Sequence, residues 1–145
     1  MSEATRFGGP VILDTCAWIW LVDGHARLLR SSHREDIEAA ALEGRLLLSP
    51  ISKWEVATKV AKGKMALSLP VLEWIREGKG RSRIRDAPLS DEIAVESANL
   101  PEELGGDPAD RLVVATARVL GGAIVTGDQR IVAYGRQRLV RVWRV

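Results

Sequence analysis

The chain has 145 residues, enough for one domain with its own core, and its hydrophobic fraction of 46% excludes an intrinsically disordered protein. A single cysteine, Cys16, excludes an internal disulfide and a cysteine-built zinc site, while a net charge of +2 by itself excludes no class of partner. No apolar run approaches the roughly 20 residues of a membrane helix, and Met1–Pro10 is too short and polar for a secretory signal, so we expect a cytoplasmic protein without membrane contact.

Short apolar runs alternate with helical patterns along the whole chain, and glycine or proline marks most of the boundaries between them. We therefore predict the following elements in chain order: a strand over 11–14, helices over 15–23 and 31–43, a strand over 45–49, helices over 52–62 and 72–77, a strand over 84–87, helices over 91–100 and 108–120, a strand over 123–126, a short helix from 128 and a strand over 139–143.

This alternation predicts a parallel sheet with both faces covered by helices, and so an α/β fold. The sequence contains no internal repeat, low-complexity tract or linker. We expect a single domain over residues 1–145, with 1–9 as a flexible N-terminal extension.

Four acidic residues stand where a parallel sheet would gather them. Asp14 and Asp128 follow predicted strands, and Glu55 and Asp110 lie near predicted helix starts. Open α/β sheets bind ligands at the carboxyl ends of their strands. Four carboxylates crowded there would repel each other unless a cation lay between them. Oxygen ligands of this kind select Mg²⁺ or Mn²⁺, which points to chemistry on phosphate.

Each of these acids also has a structural interpretation at a helix N-terminus. Asp14 and Asp128 would cap helices, and Glu55 would complete a capping box with Ser52. The segment 107–110 would supply a cap and a favourable charge in the first helical turn. Helix capping can account for each acid taken alone, but it does not explain why all four are expected at the same side of the sheet.

Other residue types have less decisive patterns. Basic residues over 76–85 and 130–144 are typical either of solvated surface or of a surface that binds a polyanion. Cys16 is expected to be a small buried hydrophobe. The tryptophans are expected in the core or in an interface rather than stacked on bases; they are Trp18, Trp20, Trp54, Trp74 and Trp143.

Four segments in this order resemble the successive motifs of the PIN-domain ribonucleases, and in particular the VapC toxins of type II toxin–antitoxin systems. The resemblance extends from about Val11 to Val145. The segments are Val11-Ile12-Leu13-Asp14-Thr15, Ser52-Lys53-Trp54-Glu55-Val56-Ala57, Asp107-Pro108-Ala109-Asp110-Arg111-Leu112 and Thr126-Gly127-Asp128.

The resemblance implies a three-layer α/β/α fold with a central, mainly parallel, twisted sheet. It implies an endoribonuclease that depends on one or two Mg²⁺ or Mn²⁺ ions and hydrolyses RNA phosphodiester bonds with a metal-activated water. It also implies a homodimer held by a cognate VapB-like antitoxin. The alternative is a PIN-like module that binds RNA or protein without cutting.

Carried over residue by residue, the resemblance assigns two sets of functional side chains, and position in the sequence suggests a third. The acidic catalytic set has Asp14 and Asp110 as direct metal ligands, with Glu55 and Asp128 acting directly or through water. Secondary candidates are Asp107, Thr15 and Thr126. Candidates for holding the substrate backbone, from their closeness in sequence to the acids, are Lys53, Lys59 and Arg111.

Overall fold

The computed structural model describes residues 7–101 and 104–145. These residues form five strands and eight helices, in the order β1 (Val11–Leu13), α1 (Thr15–Asp23), α2 (Ala26–Leu29), α3 (Arg34–Leu42), β2 (Leu46–Leu48), α4 (Pro50–Ala61), α5 (Val71–Ser82), β3 (Arg85–Asp86), α6 (Asp91–Ala98), α7 (Pro108–Leu120), β4 (Ala123–Thr126), α8 (Gln129–Arg136) and β5 (Arg141–Arg144).

The strands form one sheet in the order β3-β2-β1-β4-β5, and every neighbouring pair is parallel. The predicted α/β class with a parallel sheet is confirmed. The central strand β1 places Leu13 beside Leu48 of β2 on one side and beside Val125 of β4 on the other. The residues that follow these strands therefore leave the sheet along one edge.

Side chains of β1 alternate between two hydrophobic cores because successive residues of a strand point to opposite faces. Val11 and Leu13 pack in a core with α1, α2, α3 and α5, whereas Ile12 packs with α7 and α8. All three side chains are fully buried. The sheet is thus covered on both faces, which accounts for the uninterrupted apolar run in the sequence.

Helix α4 begins two residues earlier than predicted. Ser49 caps it by accepting a hydrogen bond from the Ile51 amide at 3.2 Å, and Pro50 occupies the first helical turn. Proline is well suited to this place because its missing N–H would have no helical partner there. The capping box expected between Ser52 and Glu55 is therefore wrong, and Glu55 is not used by the helix terminus.

Two other helix predictions need correction. The helix expected over 31–43 is α3, which begins only at Arg34, and the short helix α2 before it was not predicted. Helix α5 does not stop at Gly78 but continues to Ser82. A Cβ atom on Gly78 would approach the Val22 side chain to 3.0 Å, so this glycine permits close contact between α5 and α1 rather than ending a helix.

Both ends of the described chain meet near β5, which begins at Arg141 rather than at the predicted Leu139. Of the expected extension over 1–9, residues 1–6 lie outside the described residues. Phe7 packs edge-on against Trp143 with ring centroids 5.8 Å apart. Among the described residues, the helices are too short or too polar to cross a membrane.

Candidate functional site

The carboxyl ends of β1 and β4 position the first two acids. Asp14 follows β1 directly and caps α1, because its Oδ1 accepts a hydrogen bond from the Ala17 amide at 2.8 Å. Asp128 comes two residues after β4 and caps α8, with its Oδ1 accepting from the Arg130 amide at 2.8 Å. The predicted caps at both positions are confirmed, and the parallel pairing of β1 with β4 brings both acids to the same edge.

Thr126 connects these two acids at the end of β4. Its hydroxyl donates a short hydrogen bond to Oδ2 of Asp14, and its oxygen accepts one from the Asp128 amide at 2.9 Å. Asp14 and Thr126 are both buried. The orientation of the Asp14 carboxylate is therefore fixed from both sides, by the start of α1 and by the end of β4.

Helix α7 contributes two more acids at its N-terminus. Asp107 caps the helix by accepting from the Ala109 amide at 2.9 Å, Pro108 follows at the first helical position, and Asp110 lies in the first turn. The expectation for the segment 107–110 is confirmed in this respect. Because its cap is Asp107, the helix does not need the Asp110 carboxylate, which faces the other acids.

Glu55 comes from α4 on the opposite side of the edge. Its Oε2 lies 3.8 Å from Nζ of Lys59, one helical turn further on. The N-termini of α1 and α4 are joined by a buried hydrogen bond in which the Thr15 hydroxyl donates to Oγ of Ser52 at 2.9 Å. Thr15 thus fixes the helix that carries Glu55 relative to the helix that begins at Asp14.

These side chains line one cleft of about 330 Å³. The lining contains five acids and two cations, so negative charge is in excess. The lining residues are Asp14, Thr15, Cys16, Ile19, Trp20, Glu55, Lys59, Met65, Asp107, Asp110, Gly127, Asp128 and Arg130.

Burial and the neighbouring acids raise the proton affinity of two carboxyls in the cleft. Burial, and secondarily the neighbouring Asp128 and Glu55, raise the pKa of Asp14 from 3.8 to about 6, although the hydrogen bonds from Thr126 and Ala17 act in the opposite direction. Burial, together with Asp107 and Asp128, likewise raises the pKa of Asp110 to about 6. Both carboxylates are therefore poorly compensated when ionised.

A guanidinium group already lies between two of the acids. Nη2 of Arg130 is 2.9 Å from Oδ2 of Asp110 and 3.4 Å from Oδ2 of Asp128. The Arg130 side chain remains 54% exposed, so it reaches the carboxylates from the solvent side. Its charge offsets part of the repulsion in the cleft but leaves Asp14 without a cationic hydrogen-bond partner among the described residues.

The chemistry of the cleft fits a divalent cation. The donors are carboxylate and hydroxyl oxygens, which suit Mg²⁺ and Mn²⁺ rather than zinc. Across residues 7–101 and 104–145, no three histidine, cysteine or acidic side chains already form a group that could hold a metal ion. Arg130 between Asp110 and Asp128 is consistent with that finding, because it takes up space that a shared ion would need.

Comparison with known proteins identifies the family. Residues 11–137 match the model of the PIN-domain family. The chain belongs to the PIN-domain family. Ribonuclease VapC22 of Mycobacterium tuberculosis is 30% identical to it over 128 residues, covering 85% of this chain and 97% of that protein. The resemblance to VapC ribonucleases is thereby confirmed.

Solved structures of VapBC complexes share the fold of this PIN domain. VapBC2 from Rickettsia felis, bound to a DNA fragment from its promoter, matches 92% of this chain and 97% of that chain with a TM-score of 0.68 and 16% identity. DNA-bound VapBC from Salmonella typhimurium matches 94% and 98% with a TM-score of 0.62 and 17% identity. At these identities the likeness concerns the fold alone.

Not every residue assigned from the sequence lies at the cleft of the PIN domain. Lys59 lines it, but Lys53 points to the other side of α4, where its Nζ lies 3.0 Å from Oδ1 of Asp86. Arg111 donates to the backbone carbonyls of Ser97 at 2.9 Å and Gly105 at 3.0 Å. Arg111 therefore ties the start of α7 to the end of α6 and the preceding loop.

Arg130 and Cys16 also line the cleft, although neither was assigned a functional role from the sequence. Arg130 belongs to the first turn of α8, next to its cap Asp128, and that position was the available signal. Cys16 is exposed rather than buried as predicted. Partial burial and the nearby Asp14 raise the pKa of its thiol, which disfavours a thiolate nucleophile.

Proposed function

We propose that this PIN domain is a metal-dependent endoribonuclease, the toxin of a toxin–antitoxin pair. The observation that carries the proposal is the convergence of acids from β1, α4, α7 and β4 on one cleft in which two carboxyl pKa values are raised. Helix capping accounts for Asp14, Asp107 and Asp128, but Glu55 and Asp110 cap no helix and still line the same cleft. The similarity to Ribonuclease VapC22 supports RNA as the substrate.

The residues divide into a metal-holding and a water-handling set. Asp14 and Asp110 would hold one or two Mg²⁺ or Mn²⁺ ions with oxygen ligands, and Thr126 orients Asp14 by donating to it. When bound, such an ion polarises a phosphate oxygen and lowers the pKa of a coordinated water toward neutrality. Glu55 and Asp128 would contact the ion directly or through water, and they would orient the attacking water and accept its proton.

The substrate backbone requires cations beside this acidic cleft. Lys59 and Arg130 are the cations that line it, and both approach from the solvent side. We assign to them the contact with phosphates next to the cleaved bond. Attack by water on phosphorus with loss of the ribose 3′-oxygen gives one product with a 3′-hydroxyl and another with a 5′-phosphate.

Cleavage of a single-stranded RNA in the presence and absence of Mn²⁺ tests the proposal. The Asp14→Asn variant is expected to lose about a thousandfold in rate while its circular dichroism stays unchanged, because a ligand worth several kcal/mol in the transition state is removed. Asp23→Asn, at the exposed end of α1, is the matched control and is expected to retain full activity.

Undiminished cleavage by Asp14→Asn contradicts the assignment of the site. Failure of the wild-type protein to cut RNA with either metal, together with retained RNA binding, would favour a non-catalytic binding module instead.

The proposed partner is a VapB-like antitoxin, and the proposed oligomer is a homodimer. The VapBC neighbours support the first part, since their fold matches almost the whole chain. Co-expression with the antitoxin-like product of a neighbouring reading frame should relieve growth inhibition and block cleavage in vitro. Sedimentation equilibrium of the purified chain should give twice the monomer mass of 15.9 kDa.

A further inference from the structure

Trp54 is not in the core, in contrast to Trp18 and Trp74. Its side chain is 62% exposed, on the same helix that carries Glu55. Buried Ser52 and Val56 mark the core side of α4. With about 3.6 residues per turn, Trp54 lies two residues from each of them and so on the opposite, solvent-facing side.

Trp54 therefore lies on the exposed side of α4, between the acidic cleft and a second groove. Glu55 and Lys59 occupy one flank of α4 and line the acidic cleft. Lys53 and Ala57 occupy the other flank and line a separate groove between α4 and α5, to which Trp54 also contributes. An extended ligand lying across Trp54 would contact the acidic cleft on one side and this groove on the other.

The groove has an apolar floor and a cationic rim. It measures about 540 Å³ and is lined by Lys53, Trp54, Ala57, Leu72, Ile75, Arg76 and Lys79. Leu72 is 54% exposed, so apolar surface is open to solvent beside the indole ring. Exposed apolar surface next to an aromatic ring suits the face of a base.

The charge on this rim favours a polyanion. Lys53 and Lys79 share one carboxylate, Asp86, at 3.0 and 2.6 Å, while Arg76 is exposed on the next turn of α5. Three cations against one acid leave net positive charge. A symmetric contact with a second copy would place the same patch against itself and bring six cations together, which is unfavourable.

We propose that Trp54 and this groove hold a single-stranded segment of the RNA substrate, with an unpaired base stacked on the indole ring and backbone phosphates against the three cations. Stacking on an exposed aromatic is a general means of holding single strands, because every base has a π-face. The proposal rests on the proposed function, since it takes RNA as the substrate. It assigns recognition to a surface beside the cleft, separate from the acids that would cut.

Binding without cleavage tests this assignment. Fluorescence anisotropy of a labelled single-stranded RNA is measured in EDTA, so that no metal-dependent cutting takes place. Trp54→Ala is expected to weaken binding by about five- to a hundredfold, whereas Trp54→Phe, which keeps an aromatic face, should stay within about threefold of wild type. The control Leu42→Ala removes an apolar side chain that is 68% exposed on α3 and should change nothing.

Arg76→Gln supplies a second, independent readout. Loss of one phosphate contact should reduce the slope of log K against log salt concentration by about 0.7, the value for single strands. Unchanged RNA affinity in Trp54→Ala overturns the proposal. So does a change in sedimentation mass in that variant, because the face would then belong to a second copy of the chain.

The experiment separates this proposal from the proposed function. A wild-type protein that binds RNA through Trp54 but cuts none with Mn²⁺ refutes the nuclease assignment and leaves the RNA surface standing. A protein that cuts RNA while Trp54→Ala binds as tightly as wild type refutes only the surface.

Discussion

Charged side chains are paired at the amino ends of the strands but unbalanced at their carboxyl ends. Before the amino ends of the strands, Arg118 pairs with Glu96 at 2.6 Å and donates to the Leu139 carbonyl, and Arg45 donates to the Gly9 carbonyl. At the carboxyl ends, five acids share a cleft with two cations. Charged side chains with partners of opposite charge hold helices and strands together. An uncompensated excess of carboxylates instead indicates a binding site for a cation.

Asp110→Asn should have the largest effect, and it should fall on activity alone. The variant loses a proposed metal ligand, so RNA cleavage should drop about a thousandfold. Its metal-free thermal stability should be equal or higher, because a partly buried charge with like neighbours is removed. Cleavage assays and thermal unfolding of the same preparation measure both. Loss of stability together with loss of activity would contradict the contrast between the two edges.

Arg118→Ala should show the reverse pattern. Removal of a partly buried cation that pairs with Glu96 and with a carbonyl should lower the free energy of unfolding by about 1–3 kcal/mol. Cleavage per folded molecule should stay unchanged, because the residue lies at the other edge. Urea unfolding checks the first part. Arg34→Ala is the control, since its pair with Glu38 is half exposed and should be worth less than about 0.5 kcal/mol.

The pH dependence of stability should report the burial and crowding of Asp14 and Asp110. The pKa values of Asp14 and Asp110, about 6, lie above the ordinary 3.8, so the folded protein binds these protons more tightly than the unfolded chain. In metal-free buffer, this contribution to stability is present at pH 4 and is lost as the pH rises through about 6. We expect a fall of order 1–3 kcal/mol between pH 4 and pH 7.

Urea unfolding in EDTA at several pH values measures that fall. Asp14→Asn should flatten the dependence, because the variant cannot titrate at this position. Added Mn²⁺ should restore stability at pH 7 if the cleft binds the ion. A curve that rises from pH 4 to pH 7 and does not differ between wild type and Asp14→Asn would be inconsistent with an undercompensated cleft.

Arg130→Ala should give the smallest effect. The guanidinium competes with a cation for Asp110 and Asp128, so its removal should tighten Mn²⁺ binding, and only by about two- to fivefold because solvent screens this exposed group. Isothermal titration calorimetry measures the change. Arg136→Ala, at the far end of α8, is the control. Weaker Mn²⁺ binding in Arg130→Ala would mean that the arginine supports the ion rather than competing with it.

Several strands and helix caps of the fold can be predicted from local sequence patterns. The apolar runs 11–13 and 123–126 form parallel strands, and Asp14, Asp107 and Asp128 cap the helices that follow them. Acids placed directly after buried strands must meet when those strands pair in parallel. The gathering of the acids into one cleft could therefore be anticipated without knowing any contact.

Other features depend on packing between distant segments, and local patterns misread them. Gly78 resembles a helix stop but lies inside α5, where a Cβ atom would approach the Val22 side chain of α1 to 3.0 Å. The pairing of Arg130 with Asp110, the exposure of Cys16 and the open position of Trp54 depend on which faces the neighbouring helices cover. The sequence alone determined the central strands, the caps at Asp14, Asp107 and Asp128 and the meeting of the acids, since these follow from residue type and chain order. Tertiary structure decided which side chains meet solvent or an opposite charge, because burial and pairing arise only when separate elements pack together.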